Sequence, residues 1–376
     1  MEKIPFNRPG LFGNELEYVQ DAIKRGHISG DGYYGRHCEE VIKRVVGARK
    51  ALLTTSCTHA LEMASLLLRI QSGDEVIVPS YTFTSTVNSF ALRGAVPVFV
   101  DIRRDTLNID ETLIPAAISE KTKAIVIVHY AGVGCEMDAI MEIAHQYSIP
   151  VVEDYAHGMC SKYKGKLLGT FGALATLSFH ETKNVNCGEG GALVINDERF
   201  DDEAVMIREK GTNRQEVFQG IADKYTWRTL GSSYVQSDML AGFLYGQLEK
   251  IEVIQGRRRR LWDRYQMEIR TWAEKNGVIQ PAIPRHCTQS FHMYYLICPS
   301  EGFRNRLIRH LDDEGIMAVF HYLPLHLSRM GKLLGRVPLA LGVTEAISSQ
   351  IIRLPLFPTL EDAEQLQVCA AIKRFH

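Results

Sequence analysis

Five short, largely apolar runs separated by helical patterns constrain this chain more than any other feature. They are Glu75–Pro79, Val96–Val100, Ala124–His129, Pro150–Glu153 and Leu174–Phe179. Each is too short for a buried helix, and none alternates apolar with polar residues as a half-exposed strand must. Strands of this kind are buried on both faces, so they imply an α/β fold: a mostly parallel central sheet with helices on both sides. In such sheets the chemistry gathers beyond the carboxyl ends of the strands. The polar residues at those ends are therefore the first candidates: Ser80-Tyr81-Thr82-Phe83, Asp101, His129, Asp154 and Lys183.

A chain of 376 residues exceeds what one simple core holds, so two domains are expected. Residues 1–240 form the larger one with an N-terminal arm, and residues 241–376 a smaller C-terminal α+β domain. Asp238 is expected to cap a long helix over Met239–Lys275, followed by a strand over Phe291–Cys298, a helix over Arg304–Glu314, the segment Met317–Tyr322 and a closing helix over Leu360–Phe375. The N-terminal residues Ile4–Gly35 read as turns around one amphipathic helix, Asn14–Arg25. The glycines after it (26, 30, 32 and 35) form either a cap with a flexible arm or a loop packed close to a ligand.

The formal net charge of −1 argues against a nucleic-acid partner. The run Arg257-Arg258-Arg259-Arg260 lies in a helical pattern and reads as a solvated face. No apolar run approaches the ~18 residues of a membrane span. Eight cysteines are scattered without paired spacing. They are expected to be reduced thiols of a cytoplasmic protein rather than a disulfide frame or zinc site, and no metal is expected.

The strand Leu174–Phe179 runs into His180-Glu181-Thr182-Lys183-Asn184, and Cys187-Gly188-Glu189-Gly190-Gly191 follows. One lysine delivered by a strand end to a crowded pocket suits imine chemistry with a carbonyl, because desolvation or nearby cations make its amine nucleophilic. Asp154 ends another strand, with His157 three residues on. It is either a helix cap or a carboxylate that keeps a cofactor's ring nitrogen protonated. Ala51-Leu52-Leu53-Thr54-Thr55-Ser56-Cys57-Thr58-His59 is an apolar run that ends in hydroxyl residues at a helix start. That arrangement serves as a plain cap or as an anion seat. Between Asp201 and Tyr234 aromatic and basic residues mix, in Lys210-Gly211-Thr212-Asn213-Arg214 and Lys224-Tyr225-Thr226-Trp227-Arg228. Rings that stack on a base and cations that meet a pyrophosphate make this a candidate nucleotide contact. His321 and His326 are further candidates near the site. Two apparent motifs fail. His180–Asn184 carries Asn184 where a zinc-protease signature needs a second histidine, and Gly132-Val133-Gly134 has Met137 in place of a dinucleotide fingerprint's third glycine.

In this order the motifs resemble the nucleotide-sugar aminotransferases of the DegT/DnrJ/EryC family, within pyridoxal-phosphate fold type I. The resemblance spans essentially the whole chain. It rests on Ser-Cys-Thr at 56–58, Pro-Ser-Tyr-Thr-Phe at 79–83, His-Tyr-Ala-Gly at 129–132 and Glu-Asp-Tyr-Ala-His at 153–157. It rests also on Ser-Phe-His-Glu-Thr-Lys-Asn at 178–184 and on the stretches 208–214 and 224–228. It implies pyridoxal 5′-phosphate as cofactor, with Lys183 bonded to it and carrying the transferred proton. It further implies Asp154 on the pyridine nitrogen, His157 on the phenolic oxygen, Phe83 over the ring, and Thr58, backbone His59 and Ser178 on the phosphate. Relatives bring an asparagine from a second subunit to that phosphate. Val235 stands at its place here, which leaves Ser232 or Ser233 as substitutes, and Tyr155 departs from the small residue common there. The implied substrate is a dTDP-linked 4-keto-6-deoxy sugar, with L-glutamate as amino donor and a product destined for a cell-surface glycan. The implied assembly is a homodimer with shared active sites, in which Lys210, Asn213, Tyr225, Trp227 and Arg228, with His321 and His326, contact the substrate. Relatives that deoxygenate sugars instead carry histidine where Lys183 stands, so the lysine argues for amine transfer.

Overall fold

The computed structural model describes residues 3–218 and 220–376. The expected sheet is present, with seven strands: β1 (Lys50–Thr54), β2 (Glu75–Pro79), β3 (Val96–Val100), β4 (Thr122–Val128), β5 (Val151–Asp154), β6 (Leu174–Ser178) and β7 (Gly191–Ile195). Their order across the sheet is β1-β7-β6-β5-β4-β2-β3. The pairs β3/β2, β2/β4, β4/β5 and β5/β6 are parallel. Strand β7 is antiparallel to both β6 and β1, so it alone runs backwards. Every residue of β2 and β7 is buried, which matches their lack of polar alternation.

Helices cover both faces. On one side Tyr33–Val46, Met137–Gln146 and Asp238–Glu249 enclose a core that includes Ile42, Ile77, Ile125, Ile140 and Leu244. On the other, Cys57–Leu67 and Thr84–Ala91 pack over Val76, Val126 and Leu193. A second core surrounds the antiparallel pair β8 (Tyr294–Ile297) and β9 (Ile351–Leu354). The helices Ile251–Glu268, Glu301–Asp313 and Asp362–Arg374 pack around it through Leu261, Leu307 and Val368. Ile254 still belongs to the first core and Leu261 to the second, so one helix serves both. Between the cores lies a cluster rich in tyrosine: Tyr81, Tyr130 and Tyr295 with Met293 and Ile351.

Several expectations are corrected. The helix expected over Met239–Lys275 is three helices, Asp238–Glu249, Ile251–Glu268 and Arg270–Lys275. The breaks fall at Lys250 (φ −108°, ψ 15°) and Ile269 (φ −105°, ψ 1°). Met317–Tyr322 forms only an isolated bridge, Val319 to Arg353. The N-terminal region holds a second helix, Tyr33–Val46, which its glycine-rich start concealed. The four arginines are not one solvated face, because Arg258 is buried at 1% exposure. Its guanidinium donates to the carbonyls of Phe291, His292 and Leu356. Burial depresses its pKa to about 9.

Asp238 caps, but not its own helix. Its carboxylate accepts the backbone N–H of Gly35 at 2.8 Å and of Tyr34 at 3.3 Å, two first-turn donors of the helix Tyr33–Val46 that lack intrahelical acceptors. Asp238→Ala leaves those buried donors unmet, so it is expected to cost about 1–3 kcal/mol. The readout is the urea midpoint at unchanged slope. Asp238→Asn keeps one acceptor and is expected to lose less.

Candidate active site

Strand β5 ends at two adjacent buried carboxylates, and successive side chains of a strand point to opposite faces. Glu153 accepts the backbone N–H of Gly169, Phe171 and Gly172 at 2.7–2.8 Å and hydrogen bonds with His129 Nε2 at 2.9 Å. Burial raises its pKa, but His129 and the backbone donors outweigh that and hold it below the ordinary value. Asp154 is different. Thr86 donates its hydroxyl to Oδ2 at 2.7 Å and Ala156 its N–H to Oδ1 at 3.1 Å. Burial dominates there and lifts the pKa, against Thr86, Ala156 and the charge of Lys183.

Lys183 reaches the same site from the turn after β6. That turn is tied to β7 by Phe179 N–H on Gly190 O (2.8 Å) and Cys187 N–H on Phe179 O (2.9 Å), and closed by Lys183 N–H on His180 O (2.8 Å). Gly191 lets β7 begin against the helix Cys57–Leu67, since a Cβ there would lie 2.3 Å from the Ser56 carbonyl carbon. The Lys183 amine is depressed to about 8, mainly by burial, with Cys57 and Asp154 opposing and Arg353 assisting.

His157 follows β5 and is buried at 5% exposure. Its ring stacks on His292 (centroids 4.3 Å apart, planes at 17°). Its Nδ1 is buried and has no hydrogen-bond partner among the described residues. Burial first, then the Lys183 charge, pushes the imidazole well below its usual pKa, so it is neutral. Gly132, at φ +82°, admits Ser290, whose Oγ donates to the His157 carbonyl. A Cβ at Gly132 would sit 1.8 Å from that oxygen.

At the start of the helix Cys57–Leu67 the cap is Ser56, whose Oγ accepts the His59 N–H at 3.1 Å. Thr58 is instead linked to Ser85 of the helix Thr84–Ala91, Oγ to Oγ at 2.8 Å. Ser178 closes β6, half-buried. Phe83 immediately precedes the helix Thr84–Ala91, is 57% exposed, and has its ring 6.2 Å from that of Tyr322.

The two candidate histidines part company. His321 joins the cluster: its Nδ1 hydrogen bonds with the Tyr130 hydroxyl at 2.6 Å, and its ring lies 6.3 Å from that of His157. His326 bonds with Ser80 at 2.7 Å and Glu345 at 3.2 Å, where it ties β2's end to the helix Gly342–Gln350.

The segment 210–233 stands apart. Lys210 N–H reaches Ser232 O, Arg228 N–H reaches Gly211 O, and Asn213 Oδ1 accepts the Thr226 N–H. Tyr225 and Trp227 are 62% and 76% exposed, and Lys210, Arg228 and Ser232 are exposed beside them. Within one chain these groups are held by their own segment rather than brought to Lys183. Val235 packs against Gly30.

Four residues of the site are not among the candidate site residues that the sequence singles out. Thr86 meets Asp154 only through the fold. Asn184 binds His292, Oδ1 to Nδ1 at 2.9 Å. Tyr322 stacks on His321 with centroids 3.5 Å apart, and its phenol is raised by burial with Asp154 and Cys57 also acting on it. Arg353, on β9, lies close enough for its charge to act on Lys183, His157 and His321.

The model of the DegT/DnrJ/EryC1/StrS aminotransferase family matches residues 11–373. The uncharacterized protein MJ1066 of Methanocaldococcus jannaschii is 33% identical over 383 residues, covering 99% of this chain and 97% of its own. The aminotransferase TlmJ of Streptoalloteichus hindustanus superposes with a TM-score of 0.91 at 27% identity, over 99% of this chain and 98% of that one. Spr1654 of Streptococcus pneumoniae, a proposed sugar aminotransferase solved in a PLP form, gives 0.90 at 28%, over 99% and 98%. This chain therefore belongs to the DegT/DnrJ/EryC1/StrS aminotransferase family, whose cofactor is pyridoxal 5′-phosphate.

Proposed function

We propose that this protein aminates the keto carbon of a dTDP-linked 4-keto-6-deoxy sugar, with L-glutamate as donor, to give dTDP-4-amino-4,6-dideoxy-D-galactose. The finer assignment rests on the resemblance of the stretches 208–214 and 224–228 to the transaminase that makes this sugar. The observation that carries amine transfer is the pairing of a lysine depressed to about 8 with a buried carboxylate lifted by burial.

The residues fit the cofactor on their own chemistry. His157 Nδ1 is a buried polar atom without a partner, as an atom that meets a ligand's oxygen would be. Asp154 keeps unused lone pairs, and a cation beside it would offset its burial. When bound, pyridoxal phosphate supplies an electron sink for a carbanion and a carrier for the amino group. Lys183 Nζ would hold the cofactor and, beside it, would serve as the group that carries the transferred proton. Asp154 keeps the ring nitrogen protonated and His157 orients the phenolic oxygen. Thr58, the backbone of the first helical turn and Ser178 receive the phosphate, where the helix start favours negative charge. Phe83 would lie over the ring face.

The exposed segment 210–228 is assigned to the neighbouring site of a homodimer. There Tyr225 and Trp227 stack on the base, and Lys210, Asn213 and Arg228 meet the pyrophosphate. Ser232 is assigned to the partner's cofactor phosphate, and His321 and His326 to the sugar side. The unpaired thiols suit a reducing cytoplasm.

Incubation of the loaded enzyme with glutamate and the keto sugar nucleotide is expected to yield the 4-amino sugar, read by mass and its stereochemistry by NMR. A loaded enzyme that yields none rejects the reading. Lys183→Ala is expected to lower turnover at least ~10²-fold, since proton transfer by a positioned side chain is worth that much.

The amine reacts when neutral, and its folded pKa lies below the ordinary value of 10.5. The rate at which the apoprotein takes up cofactor, followed by visible absorbance, is therefore expected to climb as pH rises through about 8. A flat profile between pH 7 and 9 contradicts that assignment. Arg228→Ala is expected to weaken sugar-nucleotide binding ~10-fold or more and leave cofactor uptake unchanged. Calorimetry with each ligand separates the two effects.

A further inference from the structure

His292 lies just before β8 and is buried. Its backbone is held from two directions. Phe291 takes φ +54°, a left-handed conformation that bulky residues rarely adopt. The buried guanidinium of Arg258 donates to the carbonyls of Phe291 and His292. Backbone strain of this kind persists only where the surroundings over-determine it, and it clusters at functional sites. What the strained segment delivers is one imidazole.

The edge of that ring has a fixed partner. Its Nδ1 bonds with Asn184 Oδ1 at 2.9 Å. The Asn184 amide nitrogen donates to Gln255 Oε1 at 2.8 Å and to the Ser290 carbonyl at 2.7 Å. Gln255 in turn donates its own amide to the Met159 carbonyl at 2.9 Å. Both amide hydrogens of Asn184 are thereby committed, so its oxygen faces His292 and accepts. Burial first, then His157, Lys183, Arg258 and Arg353, holds the His292 ring well below its usual pKa. Nδ1 therefore carries the ring's single proton.

The face of the ring has a fixed partner too. It stacks on His157, with centroids 4.3 Å apart and planes at 17°. Tyr130 meets His157 edge-on at 6.0 Å, and His321 lies at 6.3 Å. Ser290, two residues before His292, donates to the His157 carbonyl. Residues 290–292 thus hold His157 by its main chain and by its ring, and also hold the residue that follows Lys183. Packing alone does not require this. An apolar ring would fill the same space without a buried amide to satisfy it.

We propose that His292 is a positioning residue for the cofactor: its stack sets the ring plane of His157, and its bond with Asn184 ties that plane to the turn that carries Lys183. This rests on the reading above that His157 meets the cofactor's phenolic oxygen. A hydrogen bond donated to that oxygen spreads its negative charge and lowers the proton affinity of the nitrogen conjugated with it. The pH midpoint at which the visible band of the loaded protein shifts therefore reports how well His157 is aimed. The other charged and titratable groups around the two imidazoles, Lys183, Tyr130, His321, Arg258 and Arg353, are left unchanged by the test.

Wild type, His292→Ala, His292→Phe, His157→Ala and the double variant His157→Ala/His292→Ala are loaded with pyridoxal phosphate, and the visible band of each is titrated with pH. His292→Ala is expected to raise the midpoint by about half a unit or more, the scale of one lost ring pair. His292→Phe, which keeps a stacked face but frees Asn184, is expected to fall between. In the His157→Ala background, His292→Ala is expected to add no further shift, since the two residues act as one unit. An equal shift in both backgrounds overturns the proposal and makes His292 ordinary packing. A shift in His157→Ala with none in His292→Ala overturns the proposal alone. A His157→Ala protein with the wild-type midpoint sinks the phenolic-oxygen reading, and the proposal with it. Where the variants do not fold, hydrogen exchange on the wild-type protein decides. Loading the cofactor is expected to slow amide exchange at residues 290–293 by ~3-fold or more, and an unchanged rate overturns the proposal.

Discussion

Two neighbouring carboxylates on one strand, driven in opposite directions, underlie everything else in this site. Glu153 and Asp154 are both buried at the end of β5, one to either side of the sheet. Glu153 is saturated by three backbone N–H groups and His129. Its position is the cheap one: donors from the turn 169–172 replace water, and burial is overcome. Asp154 has two donors and a nearby ammonium, and burial still prevails. When environments push two titratable groups apart, the pair marks a division of labour. Glu153 fixes the sheet to its covering turn. Asp154 is left under-solvated, its want of positive charge met only in part by Lys183.

That want is useful only if the surroundings are held still. The sheet holds Asp154 by pairing with Val128 and Thr176 on either side. The turn that carries Lys183 is braced by the reversed strand β7. The second core then closes the site: Ser290 and His292 come from the approach to β8, His321 and Tyr322 from the segment after the Val319 bridge, and Arg353 from β9. The imidazole stack of His157 and His292 crosses from one core to the other. Asn184, the residue after the lysine, grips His292, so the turn and the approach to β8 are coupled through one side chain. A displacement between the cores would thus be felt at His157 and Lys183 together.

What the sequence disclosed follows from which forces act locally. Strands buried on both faces leave continuous apolar runs, and all five runs lie in the sheet. Lys183, Asp154 and His157 were legible because parallel strands deliver polar residues to one edge. Thr86 was not, because its partner is 68 residues away and a threonine near a helix start reads as a cap. Arg353 was hidden for a related reason: β9 reads as Ile-Ile-Arg-Leu, an edge strand with one solvent-facing cation, and only the packing of two cores turns it inward. Arg258 misled in the same way. Charge in a helical run suggests a wet face, yet at 100° per residue four consecutive arginines cannot all point outward. The helix Tyr33–Val46 escaped because its start is set by a carboxylate from Asp238, far along the chain, in place of a local cap.

The last feature concerns what one chain leaves uncovered. Trp227 and Tyr225 are more than half exposed on a segment whose hydrogen bonds run mostly within itself, and Phe83 is exposed beside Tyr322. Large aromatic rings bring the greatest gain when removed from water, roughly 25 cal/mol per Å² of apolar surface. A single copy forgoes that gain at the very positions that the resemblance assigns to ligand and partner. The substitution at Val235 fits the same picture. An apolar side chain there packs on Gly30, so in the homodimer that the resemblance implies a polar contact to a neighbour's phosphate would fall to the exposed serines just before it.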